Sequence, residues 1–251
     1  MWYALVVSIV VVAYNNLINR WPPFHGAAYV PINLAFATIV TLVVSIPLGL
    51  SPTQLGLGAD AGDVVFPLIL VAVVTTGLFG IARSGQAHRI ADKRVTEMGR
   101  SELVWYVLVR IPLGTAVTEE LIFRGVLFAV WREAGASALI AALCSSVAFG
   151  LWHINPTVTG LRINDLGTSA GRVRAAVAGA VLFTTLAGLG LTWLRVESAG
   201  LLGPVLLHAG VNAVGALAAV RASRRTSTGS GWPGGTDGRS SGSSRRPRLP
   251  G

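Results

Sequence analysis

Charge is what this sequence has least of. Asp, Glu, Lys and Arg together make up 12% of the 251 residues, while 52% are hydrophobic. A soluble domain carries about a quarter charged residues, so the composition excludes an ordinary water-soluble fold and implies helices with faces toward lipid. Lysine is nearly missing (Lys93 alone), which leaves arginine to carry the positive charge. The net charge of +9 does not point to nucleic acid, because the basic residues are scattered between apolar runs instead of gathered in a patch. They read as loop markers, since cytoplasmic loops of membrane proteins are enriched in Arg and Lys. The one cysteine, Cys144, excludes an intrachain disulfide and is expected to be a small packing residue. No basic stretch precedes the first apolar run; its first basic residue, Arg20, follows it. A cleaved signal peptide has those features reversed, so an uncleaved helix with its N-terminus outside is expected.

What the sequence does have is apolar runs. Seven spans are predicted, within a range of six to eight, in an all-α polytopic membrane helix bundle: about 2–18, 27–48, 64–81, 103–131, 136–153, 173–194 and 199–220. Trp21-Pro22-Pro23 makes the first turn, because successive prolines cannot continue a helix, and His25 falls in that turn. Residues 50–58 form a short interfacial turn, with Asp60 and Asp63 facing the outside. Residues 83–102 form a polar cytoplasmic helix or hairpin that includes His88. Pro112-Leu113-Gly114 is expected to interrupt the long fourth span, with Arg110 snorkelling to the surface; broken helices at membrane depth are tolerated where they line a cavity. Asn155-Pro156 is read as the stop of the fifth span, followed by a polar loop with Arg162, Arg172 and Arg174. The membrane domain is bounded at 1–222, with a motif-bearing core of about 100–215, and 223–251 is a Ser, Gly, Arg and Pro tail too poor in apolar residues to fold. With the N-terminus outside, 16 of the 20 Lys and Arg residues fall on the cytoplasmic side. A multi-pass protein of the cell membrane is expected, with its tail in the cytoplasm.

Against this background a few polar residues stand out. The fourth span contains Thr118-Glu119-Glu120-Leu121-Ile122-Phe123-Arg124, the fifth ends in Phe149-Gly150-Leu151-Trp152-His153, and the seventh holds His208 and Asn212. A charged side chain at the bilayer centre costs roughly 2.5–3.5 kcal/mol on insertion scales, which makes such residues functional candidates. Glu120 and Arg124 are i,i+4 neighbours in the favoured order for an ion pair. Glu119 points about 100° away around the helix and has no local partner. His208 and Asn212 share one helix face, as do Phe149 and His153. If the three groups converge, the chemistry is hydrolysis. Glu119 can take a proton from water, and Asn212 can donate to a developing oxyanion. His153 and His208 can position water directly, or bind zinc with Glu119 as third ligand. Glu120 with Arg124 would brace the helix that carries the base.

Glu-Glu-x-x-x-Arg, Phe-x-x-x-His and His-x-x-x-Asn, in that order on separate spans, resemble the CPBP family. This is the CAAX protease and bacteriocin-processing (Abi) family of intramembrane endopeptidases. The resemblance covers about residues 100–215 and implies a catalytic set of Glu119, His153, His208 and Asn212, with Glu120 and Arg124 structural. It implies hydrolysis of a peptide bond in a membrane-associated protein or peptide, prenylated or otherwise lipidated, with membrane lipids around it and no nucleic acid. The family is labelled metalloprotease, although a glutamate-driven mechanism without metal is also argued for it. Here the ligands would come from three spans, without the local i,i+4 histidine pair of common zinc sites, which favours the metal-free alternative. Other intramembrane protease patterns are missing: there is no His-Glu-x-x-His, no Gly-x-Ser-Gly and no aspartate within a span. Two non-proteolytic alternatives remain. An ion- or proton-coupled transporter would also bury Glu, Arg and His, but would show repeated halves. An immunity or scaffold protein would not need all four polar positions.

Overall fold

The computed structural model describes residues 1–21, 24, 26–58, 64–84, 92–166 and 169–228. Pro22, Pro23, His25, Asp60, Asp63, His88 and the tail beyond 228 lie outside the described residues. Helix is the regular secondary structure of the described residues: α1 (Trp2–Ile18), α2 (Tyr29–Leu48), α3 (Val65–Arg83), a short α4 (Lys93–Thr96), α5 (residues 100–133), α6 (Ala138–Trp152), α7 (Ile154–Ile163), α8 (Ala170–Glu197) and α9 (Leu202–Thr228). Five stretches are long and apolar enough to cross a membrane: α2, α3, the joined α6–α7, α8 and α9 as far as Arg224. The shorter apolar α1 and the long α5 pack beside them. Their outer faces expose large apolar side chains such as Ile39, Val43 and Ile46 on α2 and Leu182, Phe183 and Leu186 on α8. Exposed apolar bands of that extent suit lipid, not water.

Local chemistry sets the helix ends. Gly49 takes the left-handed conformation (φ 64°) that closes α2. Ser137 and Ser169 cap α6 and α8 by accepting from Ile140 N and Arg172 N. The turn after α2 docks on the end of α8: Leu201 N donates to Gly56 O, and Arg195 donates to Gln54 O at 2.7 Å.

Three expectations are corrected. Pro112 does not break the fourth span, because Tyr106–Val117 and Leu121–Leu127 adopt π-helical register within a continuous helix. Proline lacks an N–H and crowds the carbonyl one α-turn back; the wider i→i+5 register accommodates it without a break. Asn155-Pro156 is not a stop: α6 kinks at His153 (φ −88°, ψ 2°) and α7 begins at once. Proline is tolerated in a helix's first turn, where its missing N–H has no bond to make, so Arg162 lies in α7, not in a loop. Finally, α9 continues to Thr228, six residues into the expected tail, because Arg and Ala residues favour helix up to Gly229.

The second half of α5 is the central post. Ile122, Phe123, Arg124, Val126, Leu127 and Val130 are fully buried, packed among α1, α2, α6 and α8. The first half of α5 faces α9, which packs in turn on α3. Cys144 packs against the core cluster, as expected.

Candidate active site

The kink between α6 and α7 must be paired internally, because lipid offers no hydrogen bonds to freed backbone groups. Two asparagines of α1 do this. Asn15 Nδ2 donates to Trp152 O (2.8 Å), Asn16 Nδ2 donates to Leu151 O (3.0 Å), and Asn155 N donates to Asn16 Oδ1 (2.8 Å). The clamp fixes Trp152 and His153 at the end of α6. Trp152 Nε1 then donates to Glu119 Oε1 at 3.1 Å, so the carboxylate expected to have no partner has one from a neighbouring helix. His153 Nδ1 lies 2.7 Å from Phe149 O. A carbonyl only accepts, so the ring proton sits on Nδ1, and Nε2 is left as an acceptor.

Glu120 is used differently. Its Oε1 accepts from Arg124 Nη1 at 3.1 Å, the expected i,i+4 ion pair, and from His208 Nδ1 at 2.7 Å. Both pair members are fully buried, and the guanidinium carbon lies 4.2 Å from the centre of the Phe149 ring. Gly188 leaves room for it, since a Cβ there would come within 3.2 Å of Arg124 Nη2. With Nδ1 of His208 on Glu120, its Nε2 faces Glu119 Oε2 at 3.8 Å, longer than a hydrogen bond. Glu119 Oε2 has no hydrogen-bond partner among the described residues.

Glu119, His153 and Asn212 line one cavity of about 910 Å³. His208 stands behind its wall, against both glutamates. From α5 the cavity takes the apolar Ile111 and a row of polar side chains, Glu102, Tyr106, Arg110, Thr115 and Glu119. That spacing of four, four, five and four residues would drift around a helix of 3.6 residues per turn. The π register keeps it on one side, so the stretch expected to break the helix instead aligns a polar stripe along the cavity. Arg110 belongs to this stripe: it does not snorkel outward, and its guanidinium lies 4.0 Å from the centre of the Tyr29 ring. The cavity's other end is lined by Asp92, Lys93, Arg94 and Glu97, at the basic end of the bundle. There Asp92 is held below its ordinary value: burial alone would raise it, but hydrogen bonds from Arg94 and Asn164 outweigh that.

Sequence reasoning missed Trp152, Asn15, Asn16 and Tyr29. The signal was present for the first three: a buried indole N–H seeks an acceptor, and adjacent asparagines in an apolar span are costly unless paired. Among the described residues no three His, Cys, Asp or Glu side chains gather closely enough to ligate one ion. His153 Nδ1 is bonded to the backbone and His208 Nδ1 to Glu120, which leaves Nε2 as the remaining nitrogen of each ring.

Residues 101–214 match the family model described as type II CAAX prenyl endopeptidase Rce1-like. No curated protein and no solved structure matches the chain. Glu119, Glu120, Arg124, His153, His208 and Asn212 all fall within the matched segment; Asn15, Asn16 and Tyr29 do not.

Proposed function

We propose, since residues 101–214 belong to the Rce1-like type II CAAX prenyl endopeptidase family, that this membrane endopeptidase acts through Glu119 as its general base. The observation that carries the reading is the division of labour between adjacent glutamates. Glu120 is engaged by Arg124 and His208, whereas Glu119 lines the cavity with His153 and Asn212. In the reaction, Glu119 takes a proton from water as the oxygen attacks the scissile carbonyl carbon. His153 Nε2 accepts the water's second hydrogen bond and orients it. The carbonyl oxygen gains the negative charge, and the Asn212 amide donates to it; one such donor is worth about 10²–10³ in turnover. Glu119 then returns the proton to the leaving nitrogen as the C–N bond breaks, releasing a carboxylate and an amine. His208, fixed by Glu120, faces the far side of Glu119 with Nε2 3.8 Å from Oε2.

The substrate is a membrane-associated, lipidated protein or peptide carrying a C-terminal C-a-a-X sequence, and the cavity opens at the basic, cytoplasmic end of the bundle. The N-terminus then lies outside and the C-terminal tail in the cytoplasm. The test is cleavage of synthetic farnesylated C-a-a-X peptides by the full-length protein in proteoliposomes, read by mass spectrometry. Wild type releases the C-terminal fragment and Glu119→Gln does not. Intact peptide with wild type, or cleavage retained by folded Glu119→Gln, would sink the reading.

A further inference from the structure

A general base must present one carboxylate oxygen to water and keep it there. Glu119 Oε1 accepts from Trp152 Nε1 at 3.1 Å, while Oε2 has no hydrogen-bond partner among the described residues. We propose that Trp152 is a positioning residue: its indole holds Oε1 and leaves Oε2 as the oxygen that takes the proton from water. The proposal rests on the reading of Glu119 as general base.

The last torsion of a glutamate side chain is soft, so a carboxylate without a tether turns and exchanges its two oxygens. His208 does not supply that tether, because its Nε2 stands 3.8 Å from Oε2, beyond hydrogen-bond length. The indole does. An indole N–H donates and never accepts, so Trp152 can hold a carboxylate oxygen but cannot carry a proton to or from it. Its part is placement, not proton transfer.

The indole is itself fixed on several sides. It meets the Phe123 ring edge to face with centroids 5.3 Å apart, and the Tyr14 ring at 6.1 Å. Its backbone carbonyl takes the Asn15 amide at 2.8 Å. Trp152 is 3% exposed, yet it lines the cavity beside Glu119. Packing alone asks only for an aromatic ring here. The tether asks for the N–H as well, and the two demands can be separated.

The experiment compares Trp152→His with Trp152→Phe in the full-length protein in proteoliposomes, cleaving a farnesylated C-a-a-X peptide at saturation. A histidine side chain puts Nε2–H where the indole Nε1–H stands, since both belong to five-membered rings joined at Cγ, but it fills less space. Phenylalanine fills more and has no donor. Trp152→Phe should lose about tenfold or more in kcat, the scale of a hydrogen bond to a charged group, and Trp152→His should recover part of that loss. Thermal midpoints should rank the opposite way, with Trp152→Phe above Trp152→His, because stability follows the volume filled. Turnover that ranks as the midpoints do would overturn the proposal and leave Trp152 as packing, while the base reading stands. A second measurement needs no turnover. The ¹⁵N-labelled indole N–H of Trp152, one of seven tryptophans, is identified by its loss in either Trp152 variant. It should move upfield in Glu119→Gln, where a neutral acceptor replaces the carboxylate. A resonance that stays in place would overturn the tether, and no cleavage by wild type would overturn the base reading and the proposal with it.

Discussion

Glu119 and Glu120 are adjacent in the chain yet answer to different neighbours, because successive residues of a helix point about 100° apart. One lies against Trp152 in the cavity wall, and the other is buried between Arg124 and His208. Their variants should therefore fail in different ways. Glu119→Gln keeps the volume and removes the base, so turnover should fall at least about 10²-fold with the thermal midpoint in detergent unchanged. Glu120→Gln strands a fully buried guanidinium; breaking such a pair costs about 3–5 kcal/mol. Folded yield on size exclusion and the thermal midpoint should both drop. A stable Glu120→Gln protein without activity, beside an active Glu119→Gln, would mean the roles are reversed. The Glu120–Arg124 pair was legible from spacing alone. The partners of Glu119 were not, since Trp152 is 33 residues away and reaches it only through helix packing.

At the scale of elements, the kink at His153 is held by a helix outside the family segment. Asn15→Ala or Asn16→Ala would leave Trp152 O or Leu151 O without a donor, at about 1–3 kcal/mol each. Both variants should melt earlier, and both should lose turnover, because Trp152 and His153 are no longer fixed. Helix contacts impose a second requirement at Gly150, where a Cβ would meet the Thr185 hydroxyl and lie 2.7 Å from Val181 O. Gly150→Ala should push α6 from α8 and lower the folded yield, whereas Gly179→Ala, where a Cβ meets nothing within 4 Å, should not. A third element, the short α4, is tied to the end of α7. Asn164 Nδ2 donates to Asp92 Oδ1, Lys93 N donates to Asn164 Oδ1, and Asp92 caps α4 by accepting from Arg94 N. Asp92 is depressed in the folded protein, so its stabilising contribution is complete above the ordinary carboxylate range. It is lost as pH falls through that range toward the folded value. The protection of amides 92–97, relative to the intrinsic exchange rate at each pH, should fall on acidification in wild type, and that fall should vanish in Asp92→Asn.

For the whole molecule, the charge distribution and the cavity point the same way. Lys93 and Arg94 line the cavity, and Arg195 bonds the backbone of the 52–56 turn. Orientation can be read with single cysteines, because Cys144→Ala removes the one native thiol. In that background Gln54→Cys should react with a membrane-impermeant maleimide in intact cells. Thr96→Cys should react only after permeabilisation, and the opposite pattern would invert the topology.

The sequence by itself determined the all-helical class, the apolar helices, the i,i+4 ion pair and which polar residues to suspect. All of these follow from local rules: apolar runs long enough for a bilayer, helical spacing, and the cost of charge in lipid. Only the tertiary structure decided how the suspects are shared out. His208 goes to Glu120, Trp152 to Glu119, and Arg110 turns inward to Tyr29. Pro112-Leu113-Gly114 and Asn155-Pro156 were misread for the same reason. Proline states locally which hydrogen bond is missing. Whether the helix then breaks, widens or kinks depends on which neighbours supply the alternative bonds, and those neighbours, Asn15 and Asn16 among them, lie more than a hundred residues away.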